Sequence, residues 1–143
     1  MKETKGQRTK ERIIKRATDL IYKNGSESFA LQQIAKDIEI SQPAMYNHFR
    51  NKTALIVAAS TKALLDYQEH IAKNTKENTA ANIKLKTYLN EHLNWHVLKT
   101  KQAHLLISLN ANASTRDSFK DIYHSYQKYR LEQITYCLEQ GER

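Results

Sequence analysis

Residues 34–52 read IAKDIEISQPAMYNHFRNK, and this stretch decides the fold of the chain. The pattern predicts a short helix, a tight turn, a second short helix and the start of a third. Ser41 is suited to cap the second helix because its hydroxyl can accept from the free amides of the first turn. Pro43 follows inside that turn, where a missing N–H is tolerated and φ is already helical.

The second short helix has two different sides. At about 100° per residue, Met45 and Phe49 share one face, which predicts that they are buried. The opposite face and its two edges carry small or polar side chains. These are Pro43, Ala44, Asn47 and His48 on the face, with Gln42 and Tyr46 at the edges. Such groups on a short exposed helix are what the major groove of DNA can accept.

This stretch resembles the helix-turn-helix of the tetracycline-repressor (TetR) family of bacterial regulators. The residues that carry the resemblance lie in the first third of the chain. They are Ile13, Ile14, Ala17, Leu20, Ile21, Gly25, Ile34, Ala35, Ser41, Pro43, Met45, Tyr46, Asn47, His48, Phe49, Asn51, Lys52 and Leu55. The resemblance implies an all-α chain, with a DNA-binding domain at 1–50. A long helix then leads into a helical body for ligand binding and dimerisation at 51–143, which is short for the family.

Composition agrees with a small helical protein that meets a polyanion. The 143 residues carry a formal charge of +8, and residues 1–52 hold 11 Lys and Arg against 6 Asp and Glu. A basic segment of this kind favours a polyanionic partner, although a solvated tail is an equal alternative on charge alone. The sequence has no run of about 20 apolar residues and no apolar leader, which predicts a cytoplasmic protein with no membrane contact. Its single cysteine excludes an internal disulfide.

Apolar periodicity predicts further helices along the whole chain. Residues 1–6 are expected to form an arm, and Gly25 is expected to end the first helix. The broad apolar face of the body helix at about 79–98 is predicted to hold Leu85, Tyr88, Leu89, His92, Leu93 and His96. The predicted helices run over about 7–24, 31–38, 51–74, 79–98, 102–109 and 115–140, in addition to the short helix at 42–49.

The same patterns predict caps and buried faces. Asn51 is expected to cap the long helix that follows it, and Ser114 is expected to begin a capping box for the last helix. Phe29 is expected to fill the small N-terminal core, and the helix at 102–109 is expected to be buried nearly all round. The first helix has an apolar stripe of Ile13, Ile14, Ala17, Leu20 and Ile21. The stripe of the last helix is Phe119, Ile122, Tyr123, Tyr126, Tyr129, Ile134 and Cys137.

The candidate DNA contacts follow from side-chain chemistry and from the resemblance. Gln42 can read an adenine edge, and Ala44 can touch a thymine methyl group. Tyr46 and His48 resemble the family's phosphate-contacting positions, and Asn47 suits either a base or a phosphate. Lys52 begins a helix, where its charge opposes the helix dipole unless an anion lies there. The full predicted set is Gln32, Gln33, Gln42, Pro43, Ala44, Tyr46, Asn47, His48 and Lys52.

Two residues depart from the family pattern. Ala30 stands where a Ser or Thr usually caps the second helix, and it can neither cap nor touch phosphate. Glu39 stands where the turn usually has a glycine, so a left-handed backbone there would cost on the order of 1 kcal/mol. Its negative charge near the DNA surface predicts weaker or more salt-sensitive binding.

In the body, aromatic residues with polar handles suit a small-molecule site. The candidate wall is Tyr67, Tyr88, His92, Trp95, His96, Tyr123 and Tyr126. Aromatic stripes at helical spacing are more often ordinary core, and that alternative stays open. His92 and His96 could also hold a metal, but no third ligand at matching spacing completes the set. The sequence therefore predicts no metal and no cofactor.

These features predict a transcriptional repressor that binds a palindromic double-stranded DNA operator as a homodimer. The resemblance implies release by a small apolar or aromatic effector. The alternative is a helical interaction protein of the same fold that has lost specific operator binding. No phosphate loop, activated nucleophile or carboxylate pair predicts an enzyme, so no catalytic residue is assigned. The chain ends about where the family's dimerisation helices begin, so it is either a short member or a fragment.

Overall fold

The computed structural model describes residues 4–75, 80–112 and 117–140, without the side chains of 109–112. Every regular element in these ranges is an α-helix, which confirms the predicted all-α class. The helices are α1 (Lys5–Asn24), α2 (Leu31–Asp37), α3 (Gln42–His48), α4 (Lys52–Asn74), α5 (Ala81–Leu98), α6 (Thr100–Asn112) and α7 (Asp117–Glu139).

The chain forms two compact units, Met1–Thr61 and Lys62–Arg143. The predicted domain boundary lies at the start of α4, whereas the first unit also contains residues 52–61 of that helix. A unit built from α1 to α3 alone has few apolar groups to bury. Leu55 and Ile56, in the first turn and a half of α4, add two fully buried side chains to its core.

The core of the first unit is the apolar stripe that the sequence predicts. Ile13, Ala17 and Ile21 recur along one side of α1 and are almost completely buried. Ile34 of α2 and Met45 of α3 are fully buried as well. Phe29, in the loop before α2, is buried as predicted. Burying each of these large side chains contributes about 1.5–3 kcal/mol.

Side-chain caps fix where the helices of the first unit begin. The Ser41 hydroxyl accepts from the amide of Ala44 at 3.2 Å, and the Asn51 side chain accepts from the amide of Ala54 at 2.8 Å, as predicted. Ala30 makes no side-chain cap, also as predicted.

The expected arm at residues 1–6 is wrong for its last residues. A capping box between Thr4 and Gln7 starts α1 at Lys5. The predicted cap at Ser114 lies outside the described residues.

A Schellman motif reverses the chain between α2 and α3. The amide of Ile40 donates to the carbonyl of Ala35 at 3.0 Å, and the amide of Glu39 donates to that of Lys36 at 3.2 Å. This pattern needs a left-handed residue at its centre, and Glu39 has a φ of 57°. The turn therefore has the predicted geometry, with a glutamate at a position that favours glycine. Gly25 ends α1 with a φ of 83°.

The second unit is organised around a cluster of aromatic rings. Tyr67 of α4 is fully buried and contacts the rings of Trp95, His96, Tyr126 and Tyr129 edge-on. Edge-to-face pairs of this kind add about 0.5–1.5 kcal/mol each beyond the area they bury. The rings occupy the centre of the unit where aliphatic side chains would otherwise pack.

The predicted apolar face of α5 is partly wrong. Tyr88 is buried as predicted, but Leu89 is 45% exposed and Leu93 is 62% exposed. The buried face instead follows Lys84, Tyr88 and Trp95. Large rings remove more apolar area from water than leucine does, so they determine which side of the helix faces inward.

The remaining body helices match their predicted stripes more closely. In α7, the residues Phe119, Ile122, Tyr126 and Cys137 of the predicted stripe are buried. Tyr123, Tyr129 and Ile134 of the same stripe are half-buried. In α6, Leu105 and Leu106 are buried, but Ile107 is 57% exposed, so this helix is not buried all round as predicted.

Hydrogen bonds link the polar atoms of the aromatic cluster. The Tyr67 hydroxyl lies 2.8 Å from Nδ1 of His92 and 3.3 Å from the Tyr88 hydroxyl. His96 donates from Nδ1 to the carbonyl of His92 at 2.7 Å, and its Nε2 lies 3.0 Å from the Tyr126 hydroxyl. Burial, with the nearby His96 and Arg130, lowers the pKa of His92 to about 4. His92 is therefore a neutral member of the core at pH 7.

The first prediction concerns Glu39. Glu39→Gly removes the left-handed penalty and should raise the free energy of unfolding by about 1 kcal/mol. Gly25→Ala is the matched control in the opposite direction, because a Cβ there meets nothing within 4 Å and acts on the backbone alone. It should lower the free energy of unfolding by roughly 1 kcal/mol or more. Urea titration measures both, and an unchanged or lower midpoint for Glu39→Gly would contradict the strain.

The second prediction concerns the pH dependence of stability. The unfolded chain protonates His92 near pH 6.5, whereas the folded chain does so near 4. The unfolded state binds more protons between these values, so the free energy of unfolding should fall as the pH is lowered through this window. His92 should contribute on the order of 2 kcal/mol to this fall. This value is smaller than the full pKa shift implies, because His92 is only partly buried and solvent screens its charge.

His92→Asn should remove that contribution while keeping a polar atom beside Tyr67. Urea titrations between pH 7 and pH 4 should show the stability difference between the wild type and His92→Asn changing in favour of the variant as the pH falls. His124→Asn, at an exposed histidine of α7, is the control and should follow the wild type. Parallel curves for the wild type and His92→Asn would rule the effect out.

Candidate nucleic-acid interface

Helix α3 has one buried side and one exposed side, as its sequence predicts. Met45 is fully buried and Phe49, just after the helix, is 4% exposed. Gln42, Pro43 and Asn47 are exposed. With the two apolar side chains held in the core, the remaining side of this seven-residue helix faces solvent.

Tyr46 is exposed and held in place by a neighbouring helix. Its side chain is 44% exposed, and its hydroxyl accepts a hydrogen bond from Nε2 of Gln32 at 2.8 Å. Because the oxygen accepts from Gln32, the phenol proton is free to donate outward. A hydroxyl fixed in this way is suited to donate to a phosphate oxygen with little loss of side-chain freedom.

The other predicted contacts of α3 and α4 are half-buried. Ala44 and His48 have this exposure on α3. Lys52 is also half-buried, and its Nζ lies 4.6 Å from the centre of the Phe29 ring. This cation–π contact stabilises the lysine where it stands. From the sequence, only a bound anion explained a lysine at this helix start. The contact with Phe29 gives the position of Lys52 a second, structural explanation.

Two arginines of α1 support the turn before α3. Arg12 donates to the carbonyl of Ile38 at 2.6 Å, and Arg16 pairs with Asp37 at 2.6 Å. The hydrogen bond from Arg16 lowers the pKa of the Asp37 carboxyl. Gln33 donates to the same carboxyl at 2.6 Å, which leaves its second N–H and its carbonyl oxygen for another partner. Sequence reasoning missed both arginines, whose i, i+4 spacing on one helix was the available signal.

Helix α1 of the first unit also carries several exposed cationic side chains. Lys5, Arg8, Lys10 and Lys15 of α1 are all exposed. Glu39 is exposed as well, and adds a negative charge at the turn into α3. The excess of cations produces a positive potential that attracts a polyanion, and that attraction weakens as salt rises.

Most of the residues predicted to line a ligand site in the body pack against one another. Six of its seven residues meet in the aromatic cluster and hydrogen-bond or stack with one another; they are Tyr67, Tyr88, His92, Trp95, His96 and Tyr126. Tyr123 is separate, and its hydroxyl accepts from Gln127. Within the described residues, no group of three His, Cys, Asp or Glu is arranged to hold a metal ion.

None of the helices in the described ranges combines the length and the apolar character that a bilayer crossing requires.

Comparison with known proteins places the first unit and the fold in one family. The family model described as bacterial regulatory proteins, tetR family, matches residues 13–59. The tetracycline repressor protein class A from transposon 1721 of Escherichia coli is 34% identical over 58 residues. That match covers 41% of this chain and 27% of the repressor, so it spans about a quarter of that relative.

Two solved structures share the fold over almost the whole chain. A regulatory protein of the tetR family from Rhodococcus RHA1 has a TM-score of 0.83 at 20% identity, covering 98% of this chain and 71% of that one. A putative transcriptional regulator from Saccharomonospora viridis, in complex with choline, has a TM-score of 0.85 at 16% identity, covering 94% and 70%.

The motif, the described helices and these matches agree. Residues 13–59 match the TetR family of bacterial regulatory proteins, and the described helices have the fold of solved regulators of that family.

Proposed function

We propose that this chain is a transcriptional repressor that binds double-stranded operator DNA through α3. The observation that carries the proposal is the exposed side of α3, on which the Tyr46 hydroxyl is positioned by Gln32 and has its proton free. The family match at 13–59 supports the same assignment. The protein would act in the cytoplasm, where an operator is accessible.

The roles of the side chains follow from their chemistry and exposure. In the major groove, Gln42 reads an adenine edge and Ala44 contacts a thymine methyl group. Tyr46, His48 and Lys52 donate to phosphates, which fixes the register of the helix on the duplex. Asn47 is exposed and reaches either a base or a phosphate. Gln32 acts by holding Tyr46, and Gln33 offers its carbonyl oxygen and its second N–H.

A homodimer on a palindromic operator completes the proposal. Paired helix-turn-helix units read half-sites about one helical turn, or a multiple of it, apart. The described face of α7 supports self-association, because Leu131 is 65% exposed and Leu138 is 53% exposed, with half-buried Ile134 between them. Residues at i, i+3 and i+7 form one apolar stripe on a helix.

Release by a small organic effector is part of the proposal. A regulator of this fold has been solved in complex with choline, which supports a small-molecule site in this chain. An effector that used the aromatic cluster would have to displace the contacts of Tyr67 with His92 and Tyr126. Another part of the body is therefore a better candidate.

An interaction protein of the same fold that no longer binds an operator is the second candidate. Two observations favour it: α2 lacks a side-chain cap at Ala30, and Glu39 is exposed at the turn into α3. Each feature weakens the approach of a phosphate backbone.

The third prediction tests DNA binding directly. Selection of genomic fragments by the purified protein should recover an inverted repeat. Binding of the recovered duplex, followed by fluorescence anisotropy, should weaken steeply with salt, with a log–log slope of about −0.9 per neutralised phosphate. Recovery of random fragments only would favour the interaction protein.

Matched variants test the named side chains on the same duplex. Tyr46→Phe should weaken binding by about tenfold, since a hydrogen bond to a charged group is lost. Lys52→Met keeps an apolar contact with Phe29 and should reduce the salt slope by about one unit. Lys62→Met, at an exposed lysine further along α4, is the control. The double variant Tyr46→Phe, Lys52→Met should abolish enrichment and keep the helical circular dichroism spectrum.

The fourth prediction tests the dimer. Leu131→Glu combined with Leu138→Glu places two charges on the α7 stripe, and should shift the mass measured by light scattering toward the monomer. Leu65→Glu is the control, because Leu65 is a leucine of similar exposure, 58%, on a different helix, α4. An unchanged mass for the α7 variant would exclude this stripe as the dimer contact.

A further inference from the structure

A cavity of about 410 Å³ opens in the second unit beside the aromatic cluster, with which it shares Tyr129. Ligand sites in proteins typically have volumes of about 300–1,000 Å³. The cavity reaches the surface, because Tyr136 at its edge is 46% exposed. Its main lining residues come from the chain segment directly after α4 and from α5 and α7, and are Thr75, Lys84, Tyr129, Gln133, Tyr136 and Cys137.

Lys84 is the unusual residue of this cavity. Its side chain is only 5% exposed, and Nζ lies 4.9 Å from the centre of the Tyr136 ring. The one side-chain hydrogen bond that it makes to a described residue, to the Tyr136 hydroxyl, is long at 3.4 Å. Within the described ranges no carboxylate pairs with it. The cation–π contact with Tyr136 offsets part of the cost of burying this ammonium. It does not supply the counter-ion that a buried charge otherwise requires.

Two neutral polar groups lie in the same lining and lack partners. The Oγ1 atom of Thr75 is buried and forms no hydrogen bond with any described residue. The side-chain amide of Gln133 is half-buried and is also unpaired among the described residues. Native proteins leave few buried polar atoms unsatisfied, and an atom such as Thr75 Oγ1 frequently marks a missing water, ion or ligand.

The rest of the wall is apolar or neutral. Tyr129 directs its hydroxyl to the carbonyl of Gln68 at 3.4 Å, which leaves its ring as a wall. Burial raises the pKa of Tyr129 and of the Cys137 thiol, so both are neutral at pH 7. The cavity thus combines one buried cation, two neutral hydrogen-bonding groups and aromatic surface.

We propose that this cavity binds a small organic monocarboxylate with a flat apolar body. Its carboxylate pairs with Nζ of Lys84 and hydrogen-bonds Thr75 and Gln133, and its body lies against the rings of Tyr129 and Tyr136. A carboxylate supplies the counter-ion that Lys84 lacks. An organic cation would be repelled by Lys84, and a bare inorganic anion would leave the aromatic wall unused. The ligand would also serve as the effector that releases DNA. This last step, unlike the binding itself, rests on the proposed function.

Calorimetric titration of the full chain with benzoate and phenylacetate tests the class of ligand. Both acids should bind at millimolar concentration or below. Benzamide has nearly the same shape without the charge, and should bind at least about tenfold more weakly because a charge-assisted contact is absent. Benzylammonium should not bind. The proposal is overturned if neither acid binds, if benzamide binds as well as benzoate, or if inorganic phosphate binds as tightly as either acid.

Variants at Lys84 test the residue. Lys84→Met should reduce benzoate affinity by roughly 10- to 100-fold, and Lys84→Arg should retain part of it. Lys86→Met, at an exposed lysine of the same helix, is the control and should leave affinity unchanged. Lys84→Met should also melt at the same or a higher temperature than the wild type, since it removes a buried unpaired charge. Unchanged benzoate affinity in a folded Lys84→Met variant would overturn the assignment.

A separate measurement distinguishes this site from the proposed repressor activity. Addition of benzoate to the complex with the selected duplex should lower DNA affinity for the wild type and have no effect for Lys84→Met. If benzoate binds through Lys84 without changing DNA affinity, the site stands and its role as effector site is overturned. If the chain binds no specific DNA, the proposed function fails while the calorimetric result still decides the site.

Discussion

The first unit depends on the burial of two side chains, Met45 and Phe49. A helix of seven residues has too few backbone hydrogen bonds to be stable alone, so its packing determines its orientation. With Met45 fully buried and Phe49 nearly so, the polar side of α3 can only face outward. The exposure of Gln42 and Asn47 is therefore a consequence of how the core is packed.

The surroundings of α3 limit its movement further. Arg12 and Arg16 of α1 both hold the end of α2, and Gln32 of α2 holds Tyr46 of α3. These contacts connect three helices through polar atoms at the surface of a small core. Each exposed ion pair adds little to the free energy of unfolding. The bond from Arg12 to the carbonyl of Ile38, and the Asp37 carboxylate that Arg16 and Gln33 share, mainly restrict the position of the end of α2. Preorganisation of this kind lowers the entropy lost when a partner binds.

Local sequence signals predicted local structure well. The caps at Ser41 and Asn51, the stripe of α1 and the left-handed turn at Glu39 each depend on residues within a few positions of one another. Contacts that depend on distant residues were not predictable in this way. The leucines and rings of α5 compete for the core, and the pattern alone did not show that Trp95 would be buried and Leu93 exposed. The contacts of Arg12 and the burial of Lys84 likewise require the folded chain.

Cys137 gives the second unit a natural chemical reporter. The chain has one cysteine, and its side chain is 4% exposed on α7. Thiol reagents react with the thiolate, and burial both shields the sulfur and raises its pKa. Because Cys137 also lines the cavity that reaches the surface, the alkylation rate of the native protein reports access to that cavity as well as local opening of α7, without any engineered label.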